Sequence, residues 1–242
     1  MKAERSTLEQ PQNPETQLPL GTHAKKEAIA WFWIVLAFLL INGAVGQARV
    51  IPSGSMENTL LIGDHLIMSR VGYDAGIPFT NIHVPLWRNP HRQKIIIFEP
   101  PYDPDATDLI KRVIGMPGDV VDIRQGAVWI NGQRLQENYT LGLTRPAPLG
   151  QAPRGYSEMK FPYRVPENCY FAMGDNRENS YDSRFWGCVP RNDIVGAPLA
   201  IYMSLDAPSD AWNGDVLNRF EAYGQALVHP DRVRWKRLFE TF

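Results

Sequence analysis

The sequence predicts a mainly β domain, antiparallel, with short strands and long loops, preceded by one N-terminal transmembrane helix. Three observations lead to this prediction: one long apolar segment near the N-terminus, several short β-branched or aromatic runs bounded by turn residues, and 20 prolines spread along the chain. Proline lacks the amide donor of a helix interior, so it opposes long helices. The 242 residues can bury one sizeable core, and the net charge of −1 without a basic stretch argues against nucleic acid.

The N-terminal region predicts a disordered cytoplasmic tail, 1–27, followed by a transmembrane anchor, 28–47. Met1–Thr22 is rich in Pro, Gln, Glu and Thr and has too little apolar area to offset the entropy of ordering. Ala28–Val45 is almost entirely apolar, and a helix of that length reaches about 27 Å, close to the roughly 30 Å of a hydrocarbon core. Two lysines precede the segment, so the positive-inside tendency keeps the N-terminus in the cytoplasm.

A cleavable signal peptide is the alternative for this region, because the small residues Ala44, Gly46 and Ala48 follow the apolar run. The long tail in front of the run and the length of the run favour a retained anchor. The β domain, 48–242, would then lie on the extracytoplasmic side.

Beyond the anchor, the pattern predicts strands separated by turns. Asn131-Gly132, between Val128–Ile130 and Gln133–Leu135, is a strong two-residue hairpin signal. Thr140–Ser157, with several prolines and glycines, predicts an exposed loop. Asp215–Leu227 has a spacing compatible with one helix. The runs that predict strands are Leu66–Met68, Lys94–Phe98, Val120–Ile123 and Ala127–Ile130.

Ser55 is a candidate nucleophile, since it lies in the run Ile51–Met56 shortly after the apolar segment. A serine hydroxyl needs a base to take its proton during attack. Gly54 allows close backbone approach, which suits an amide aimed at a developing oxyanion, and Ser53 offers a hydroxyl as a second donor. Such Ser-Gly-Ser tripeptides also occur in ordinary turns, so this signal alone is weak.

Two kinds of base are available to Ser55. The chain has five histidines, but their neighbourhoods do not suggest a triad, and His65, the one close to Ser55 in sequence, fits a packing role as well. Lys111 can act as a base if it is neutral, and burial against apolar side chains favours the neutral amine. On a strand, Leu109, Lys111 and Val113 share one face, which supplies apolar neighbours. The alternative is an exposed strand lysine.

Four blocks of the sequence closely resemble type I signal peptidases. They occur in the order of that family, span Val50 to Leu205, and follow a membrane segment placed as in the family. The resemblance implies a signal-peptidase-like β domain. The blocks are Pro52–Met56 with Thr59-Leu60 and Gly63-Asp64, then Lys111-Arg112 with Gly115–Asp119, then Gly174–Ser180, and finally Asp182–Gly187.

The resemblance also implies an activity: a bacterial endopeptidase of the inner membrane, single-pass, that cuts signal peptides from exported preproteins through an acyl-enzyme. Ser55 resembles the nucleophile and Lys111 the general base, while Ser53 and the Ser55 amide resemble the oxyanion hole. No cofactor and no metal are implied. The expected partners are preproteins with small residues one and three positions before the cut, the lipid bilayer and the translocation machinery.

Three further residues resemble ones that shape the site. Ser180 resembles the serine that orients the lysine amine, and Asp182 with Arg184 resembles a structural pair, although a plain surface ion pair is the alternative. The chain departs from the family pattern at Glu57-Asn58, where a proline is common, and at Gln93-Lys94, where Gly-Asp is usual. Neither departure touches a catalytic position.

Several points stay open at this level. Cys169 and Cys188 fit either a disulfide outside the cytoplasm or buried small apolar residues. Val233–Phe239 mixes basic and aromatic residues, as a segment at a membrane surface or a final strand packed on the domain would. Two rival functions are a serine–lysine peptidase dedicated to a conjugation or pilus precursor, and a noncatalytic membrane-tethered binding domain.

Overall fold

The computed structural model describes residues 20–40, 46–76, 83–103, 106–147 and 159–242. The chain divides into two compact units, Met1–Leu39 and Leu40–Phe242. Helix α1, Leu20–Leu40, provides the described part of the first unit. The second unit carries all the described strands.

Helix α1 differs from the predicted division of the N-terminal region. Residues 1–19 of the predicted tail, 1–27, lie outside the described residues. Residues 20–27 of that tail are helical. Ala24–Lys26 are good helix formers, so the helix extends backwards from the apolar run. Of the predicted anchor, 28–47, residues 41–45 lie outside the description and the last two belong to a strand. Within the described ranges, no helix combines the length and the apolar character needed to cross a bilayer.

The second unit is mainly β, and its strands pair antiparallel throughout the described residues, as predicted. Most strands are short, although the last has 11 residues. The strands are β1 Gly46–Val50, β2 Asp64–Ser69, β3 Asp74–Gly76, β4 His83–Pro85, β5 Ile95–Phe98, β6 Leu109–Gly115, β7 Val120–Arg124, β8 Ala127–Ile130, β9 Gln133–Arg134, β10 Tyr163–Arg164, β11 Cys169–Met173, β12 Val189–Pro190 and β13 Ile194–Ser204. The helices are α2 Ser183–Trp186, α3 Asp210–Asn213 and α4 Val216–Val228, and 3-10 turns cover Gly54–Met56, Arg191–Asp193, Pro230–Arg232 and Trp235–Arg237.

The described strands form three sheets. The largest has seven strands in the order β1-β2-β13-β5-β6-β11-β12, the second has the order β10-β7-β8-β9, and β3 pairs with β4. Strand β13 pairs with both β2 and β5, so it joins the N-terminal hairpin β1–β2 to the centre of the sheet. Strand β6 lies between β5 and β11, with Lys111 opposite Ile96.

Apolar clusters on the large sheet hold the segments that carry the candidate site. Met56 is fully buried and packs in one cluster with Leu66 of β2, which anchors the turn that contains Ser55. Burial of such a side chain contributes about 1.5–3 kcal/mol. A second cluster joins Ile114 of β6 and Phe171 of β11 to Val121 of β7, so it connects the two larger sheets.

Several local predictions are confirmed. Asn131 and Gly132 have φ of 52° and 81° and connect β8 to β9, as the hairpin signal indicates. Helix α4 coincides with the predicted Asp215–Leu227 to within one residue at each end. Of the predicted loop Thr140–Ser157, the part up to residue 147 forms no helix or regular strand, and 148–158 lies outside the description. The four predicted strand runs correspond to β2, β5, β7 and β8, with Lys94 one residue before the start of β5.

The two cysteines form a disulfide in this structure. Cys169 lies in β11 and Cys188 immediately precedes β12, with their Cα atoms 5.7 Å apart. The bridge therefore encloses the whole loop between β11 and β12, which contains Ser180 and Asp182.

The C-terminal segment packs on the domain without forming a strand. Arg237 pairs with the fully buried Asp64 at 2.7 Å and donates to the Thr59 carbonyl at 2.8 Å. Trp235 and Phe239 are nevertheless 64% and 80% exposed. The segment thus packs on the domain, as the predicted final strand would. Its exposed aromatic side chains fit the other alternative, a segment at a membrane surface.

Candidate active site

Ser55 lies in the 3-10 turn that follows β1. The amide of Glu57 donates to the carbonyl of Gly54 at 3.1 Å, which closes the end of this turn. The amide of Asn176 donates to the Ser55 carbonyl at 3.1 Å. The serine backbone is therefore held from its own turn and from the loop after β11, while its side chain is almost fully buried.

Lys111 of β6 reaches the Ser55 hydroxyl. Its Nζ lies 2.8 Å from Oγ of Ser55 and 3.0 Å from the carbonyl oxygen of Ile110. Lys111 is only 3% exposed, so it is not an exposed strand lysine. Burial lowers the pKa of Lys111 to about 8, which outweighs the opposite effect of the Asp182 and Asp175 carboxylates. An amine in this state is able to accept a proton from the hydroxyl that it contacts.

Ser53, the predicted oxyanion donor, lies beside Ser55. Its Oγ is 3.5 Å from Oγ of Ser55, at the limit of a hydrogen bond, and its side chain is exposed. The structure thus brings Ser53, Ser55 and Lys111 together from the first and second sequence blocks. A hydroxyl next to the nucleophile is available to a developing oxyanion.

Ser180 is buried near the site, but its hydroxyl makes no hydrogen bond to the lysine amine. Its Oγ has no partner in hydrogen-bonding geometry among the described residues. The Ser180 side chain packs instead against Gly174, where an added Cβ would overlap both Ser180 Oγ and the carbonyl oxygen of Ser55. Orientation of the Lys111 amine by Ser180 therefore stays a prediction, and Gly174 is the point at which the two serines approach each other.

Asp182 and Arg184 form a buried ion pair. Nε and Nη2 of Arg184 donate to the two Asp182 oxygens at 2.8 and 2.9 Å, and the side chains are only 0% and 4% exposed. Asp182 also accepts from the Gly174 amide at 3.0 Å and from the Arg184 amide at the start of α2. Burial alone would raise the pKa of Asp182, but Arg184, the Gly174 amide and the nearby Ser180 hydroxyl lower it. Since the pair is buried, it is not a plain surface ion pair.

A second buried ion pair was not singled out from the sequence. Nε and Nη2 of Arg112 donate to the two oxygens of Asp175 at 2.8 and 2.6 Å. The hydroxyl of Thr59 donates to the same carboxylate at 2.5 Å. The three residues come from three different sequence blocks. Their place in these blocks was the sequence signal that could have identified them as part of the site. Their contacts tie the segment after Ser55, the lysine strand and the loop after β11 into one unit.

His65 does not take part in this unit. Its Nδ1 lies 2.9 Å from the Gly63 carbonyl and its Nε2 lies 2.8 Å from the Tyr223 hydroxyl. Its ring packs edge-on against Trp212, and burial lowers the pKa of His65. These contacts give the histidine a packing role. Within the described ranges, no group of three or more His, Cys, Asp or Glu side chains is arranged to hold a metal ion.

Comparison with known proteins identifies the family. The profile of the family described as Signal peptidase, peptidase S26 matches residues 25–203 of this chain. The chain belongs to this signal peptidase family. It is 39% identical over 166 residues to a probable signal peptidase I-2 of Synechocystis sp., with 67% of this chain and 65% of that protein covered. It therefore spans just under two thirds of the length of that relative.

Two further relatives are covered more completely. Signal peptidase I of Leptolyngbya laminosa is 36% identical over 193 residues, with 77% of this chain and 83% of that protein covered. Signal peptidase I of Pseudomonas fluorescens is 32% identical over 209 residues, with 74% and 72% covered. A solved signal peptidase I structure from Enterococcus faecalis V583 is 30% identical and covers 46% of this chain and 97% of its own, with a TM-score of 0.36. The family assignment rests on the sequence matches.

Proposed function

We propose that this signal peptidase removes N-terminal signal peptides from exported preproteins with a Ser55–Lys111 dyad while it is anchored in the bacterial inner membrane. The observation that carries the proposal is the 2.8 Å separation between the buried Nζ of Lys111 and Oγ of Ser55. The family match supports the reaction, and the contacts around these two atoms support the residue roles.

The first half of the reaction forms an acyl-enzyme. Neutral Lys111 takes the proton of the Ser55 hydroxyl as Oγ attacks the scissile carbonyl, and the resulting ammonium protonates the leaving amine. With a pKa of about 8, roughly one tenth of the lysine is neutral at pH 7. The Ser53 hydroxyl and the Ser55 amide stabilise the oxyanion, and a donor of this kind contributes about 10²–10³ in kcat.

The second half of the reaction releases the signal peptide. Lys111, neutral again, activates a water molecule that attacks the acyl-enzyme, and the same donors stabilise the second oxyanion. Substrates are expected to carry small residues one and three positions before the cut, as signal peptides do. Asp182, Arg184 and Ser180 support the geometry of the loop that faces the dyad.

Membrane anchoring is part of the proposal. The apolar sequence that begins at residue 28 and ends before β1 serves as a single-pass anchor with the N-terminus in the cytoplasm. The catalytic domain, which begins with β1, lies on the extracytoplasmic side near the lipid bilayer and the translocation machinery. The Cys169–Cys188 bridge supports that location, because disulfides persist in oxidising compartments. An intact N-terminus in isolated membranes supports a retained anchor, and a cleaved one contradicts it.

The decisive experiment compares Ser55→Ala and Lys111→Ala with the parent chain on a model preprotein. Each variant is expected to lose cleavage by about 10⁴-fold or more while it stays folded, because each removes half of the dyad. Lys94→Ala is the matched control, since Lys94 precedes the neighbouring strand β5 and is exposed. A noncatalytic binding domain predicts unchanged processing in all variants. A peptidase dedicated to a conjugation or pilus precursor predicts that this precursor accumulates on depletion.

A further inference from the structure

Arg177, in the loop after β11, is a buried arginine with no part in the steps above. Its side chain is 0% exposed. Its Nε donates to the Gly174 carbonyl at 3.0 Å, and its Nη1 donates to the Thr144 hydroxyl at 2.6 Å. The rest of its guanidinium pairs with Glu137, through Nη1 to Oε2 at 3.1 Å and through Nη2 to Oε1. Glu137 therefore balances the charge of a cation that holds Gly174.

Glu137 begins a segment that lies along this loop, which we name the strap, Glu137–Arg145. The Leu141 amide donates to the Asp175 carbonyl at 2.8 Å, and the Arg177 amide donates to the Leu141 carbonyl at 2.9 Å. At the other end of the strap, Nη1 of Arg184 donates to the Arg145 carbonyl at 3.1 Å. The strap thus contacts the loop through backbone and side-chain hydrogen bonds.

The strap also contacts the serine and lysine segments. The Tyr139 ring lies 4.0 Å from the guanidinium carbon of Arg112, and the Tyr139 carbonyl accepts from Nδ2 of Asn58 at 3.0 Å. The Tyr139 hydroxyl donates to Oε1 of Glu137 at 3.0 Å. Glu137 is therefore the acceptor at which the Arg177 and Tyr139 contacts converge.

We infer that Glu137 is a positioning residue for the cleavage reaction, since its carboxylate fixes Arg177 and Arg177 holds the carbonyl of Gly174. The inference rests on the proposed function of the dyad. Gly174 touches the Ser55 carbonyl and the Ser180 side chain, and its amide donates to Asp182. A displacement of Gly174 is thus transmitted to the nucleophile and to the carboxylate beside Lys111.

The carboxylate of Glu137 is needed for this arrangement because an unpaired guanidinium does not stay buried. Without it, the Arg177 side chain moves toward water and releases the Gly174 carbonyl. The charged groups that act on Lys111 are Asp182, Asp175 and Arg184, and all three lie on or against the same loop. A looser loop admits water to the lysine, which weakens the effect of burial and moves its pKa back up toward 10.5. Because the base works as the neutral amine, the acid limb of the rate profile then moves to higher pH.

The test uses the full-length chain, a synthetic preprotein with Ala one and three positions before the cut, and kcat and KM measured across pH. For Glu137→Gln we expect kcat to fall about 10- to 100-fold with little change in KM, and the acid limb to move to higher pH. Arg177→Lys keeps a cation for Glu137 but lacks the Nε donor to Gly174, and the same two changes are expected. Asp122→Asn is the control, since it removes a carboxylate from a half-exposed pair with Arg124 on the four-stranded sheet, and its kinetics should match those of the parent.

Two results overturn the inference. One is a folded Glu137→Gln or Arg177→Lys variant with the parental kcat and acid limb. The other is a variant whose rate is reduced by the same factor at every pH with an unmoved limb, which indicates only a smaller folded fraction. If the unfolding of Glu137→Gln is not cooperative, this variant is not properly folded. Arg177→Lys then provides the test, because it leaves the Glu137 carboxylate paired with a cation. Cleavage that persists in Ser55→Ala would overturn the proposed function itself and is a separate outcome.

Discussion

Nζ of Lys111 lies 2.8 Å from Oγ of Ser55, although the two residues are 56 positions apart in the sequence. The separation is set by the seven-stranded sheet, in which β6 carries the lysine and the turn after β1 carries the serine. The apolar side chain of Met56, next to the serine, packs into the same sheet. The sheet therefore holds the proposed nucleophile and its proposed base in contact in the absence of a substrate.

The pH dependence of cleavage should report the titration of Lys111. We expect kcat/KM to rise with pH through a single acid limb with a pKa of about 8, because only the neutral amine accepts the serine proton. Below this pKa the rate should fall about tenfold per pH unit. A profile of kcat/KM on a synthetic preprotein provides the measurement. His65→Gln should leave the limb in place, and a limb near the ordinary histidine pKa that vanishes in this variant would contradict the lysine base.

Asp175→Asn should destabilise the catalytic domain strongly. The substitution leaves the buried Arg112 guanidinium without its carboxylate, which costs about 3–5 kcal/mol in the free energy of unfolding. Urea unfolding of the parent and the variant provides the comparison. Glu240→Gln, which removes the half-exposed partner of Arg237, serves as control and should cost less than about 1 kcal/mol. Equal losses of unfolding free energy in the two variants would mean that the buried Arg112–Asp175 pair contributes no more to stability than an exposed pair.

Gly174→Ala should abolish cleavage and weaken the fold. The new Cβ overlaps the Ser55 carbonyl oxygen, which is backbone, so a side-chain rotation cannot relieve it. Overpacking of this kind costs about 1–3 kcal/mol. Gly224→Ala in α4 is the matched control, because no heavy atom lies within 4 Å of the added Cβ. Both variants can be followed by thermal unfolding and by preprotein cleavage, and an active Gly174→Ala enzyme would show that the two serines need not approach so closely.

Removal of the disulfide should reduce stability by about 3 kcal/mol. The bridge closes a loop with a sequence separation of 19, and loop closure of that size restricts the unfolded chain by roughly this amount. Denaturant unfolding of the parent with and without a reductant, beside the Cys169→Ser, Cys188→Ser double variant, provides the test. The reductant should lower the midpoint of the parent only. A parent that ignores the reductant would indicate that its cysteines are not bridged under those conditions.

The motif blocks of the sequence single out the proposed catalytic residues, but they do not show which other residues hold them in place. The motif blocks singled out Ser55 and Lys111, whose catalytic roles stay predictions, while the burial of Lys111 on β6 is seen only in the structure, since strand alternation also allowed an exposed lysine. The Arg112–Asp175 pair joins residues 63 positions apart, and it depends on the order of strands in the sheet, which hydrophobic patterning does not specify. Glu137 lies outside every motif block, in a segment without regular structure, so only the folded chain brings it to Arg177.

The prediction was least accurate at the boundaries of the N-terminal helix. The expected tail extended to residue 27, whereas α1 begins at Leu20. Composition indicates whether a segment buries apolar area, but helix propensity lets an adjacent helix grow into polar sequence. The hairpin at Asn131-Gly132 was predicted correctly because its signal is local and depends on two residues that tolerate positive φ.

The adjacency of Lys111 and Arg112 on β6 makes the chemistry at Ser55 depend on the register of that strand. Neighbouring residues of a strand point to opposite faces, so a slip of one position in the pairing of β6 with β5 would exchange the two side chains. The serine would then face a guanidinium, which keeps its proton at any physiological pH and offers no base. The pairing of β6 with β5 thus decides whether Ser55 faces an amine or a guanidinium.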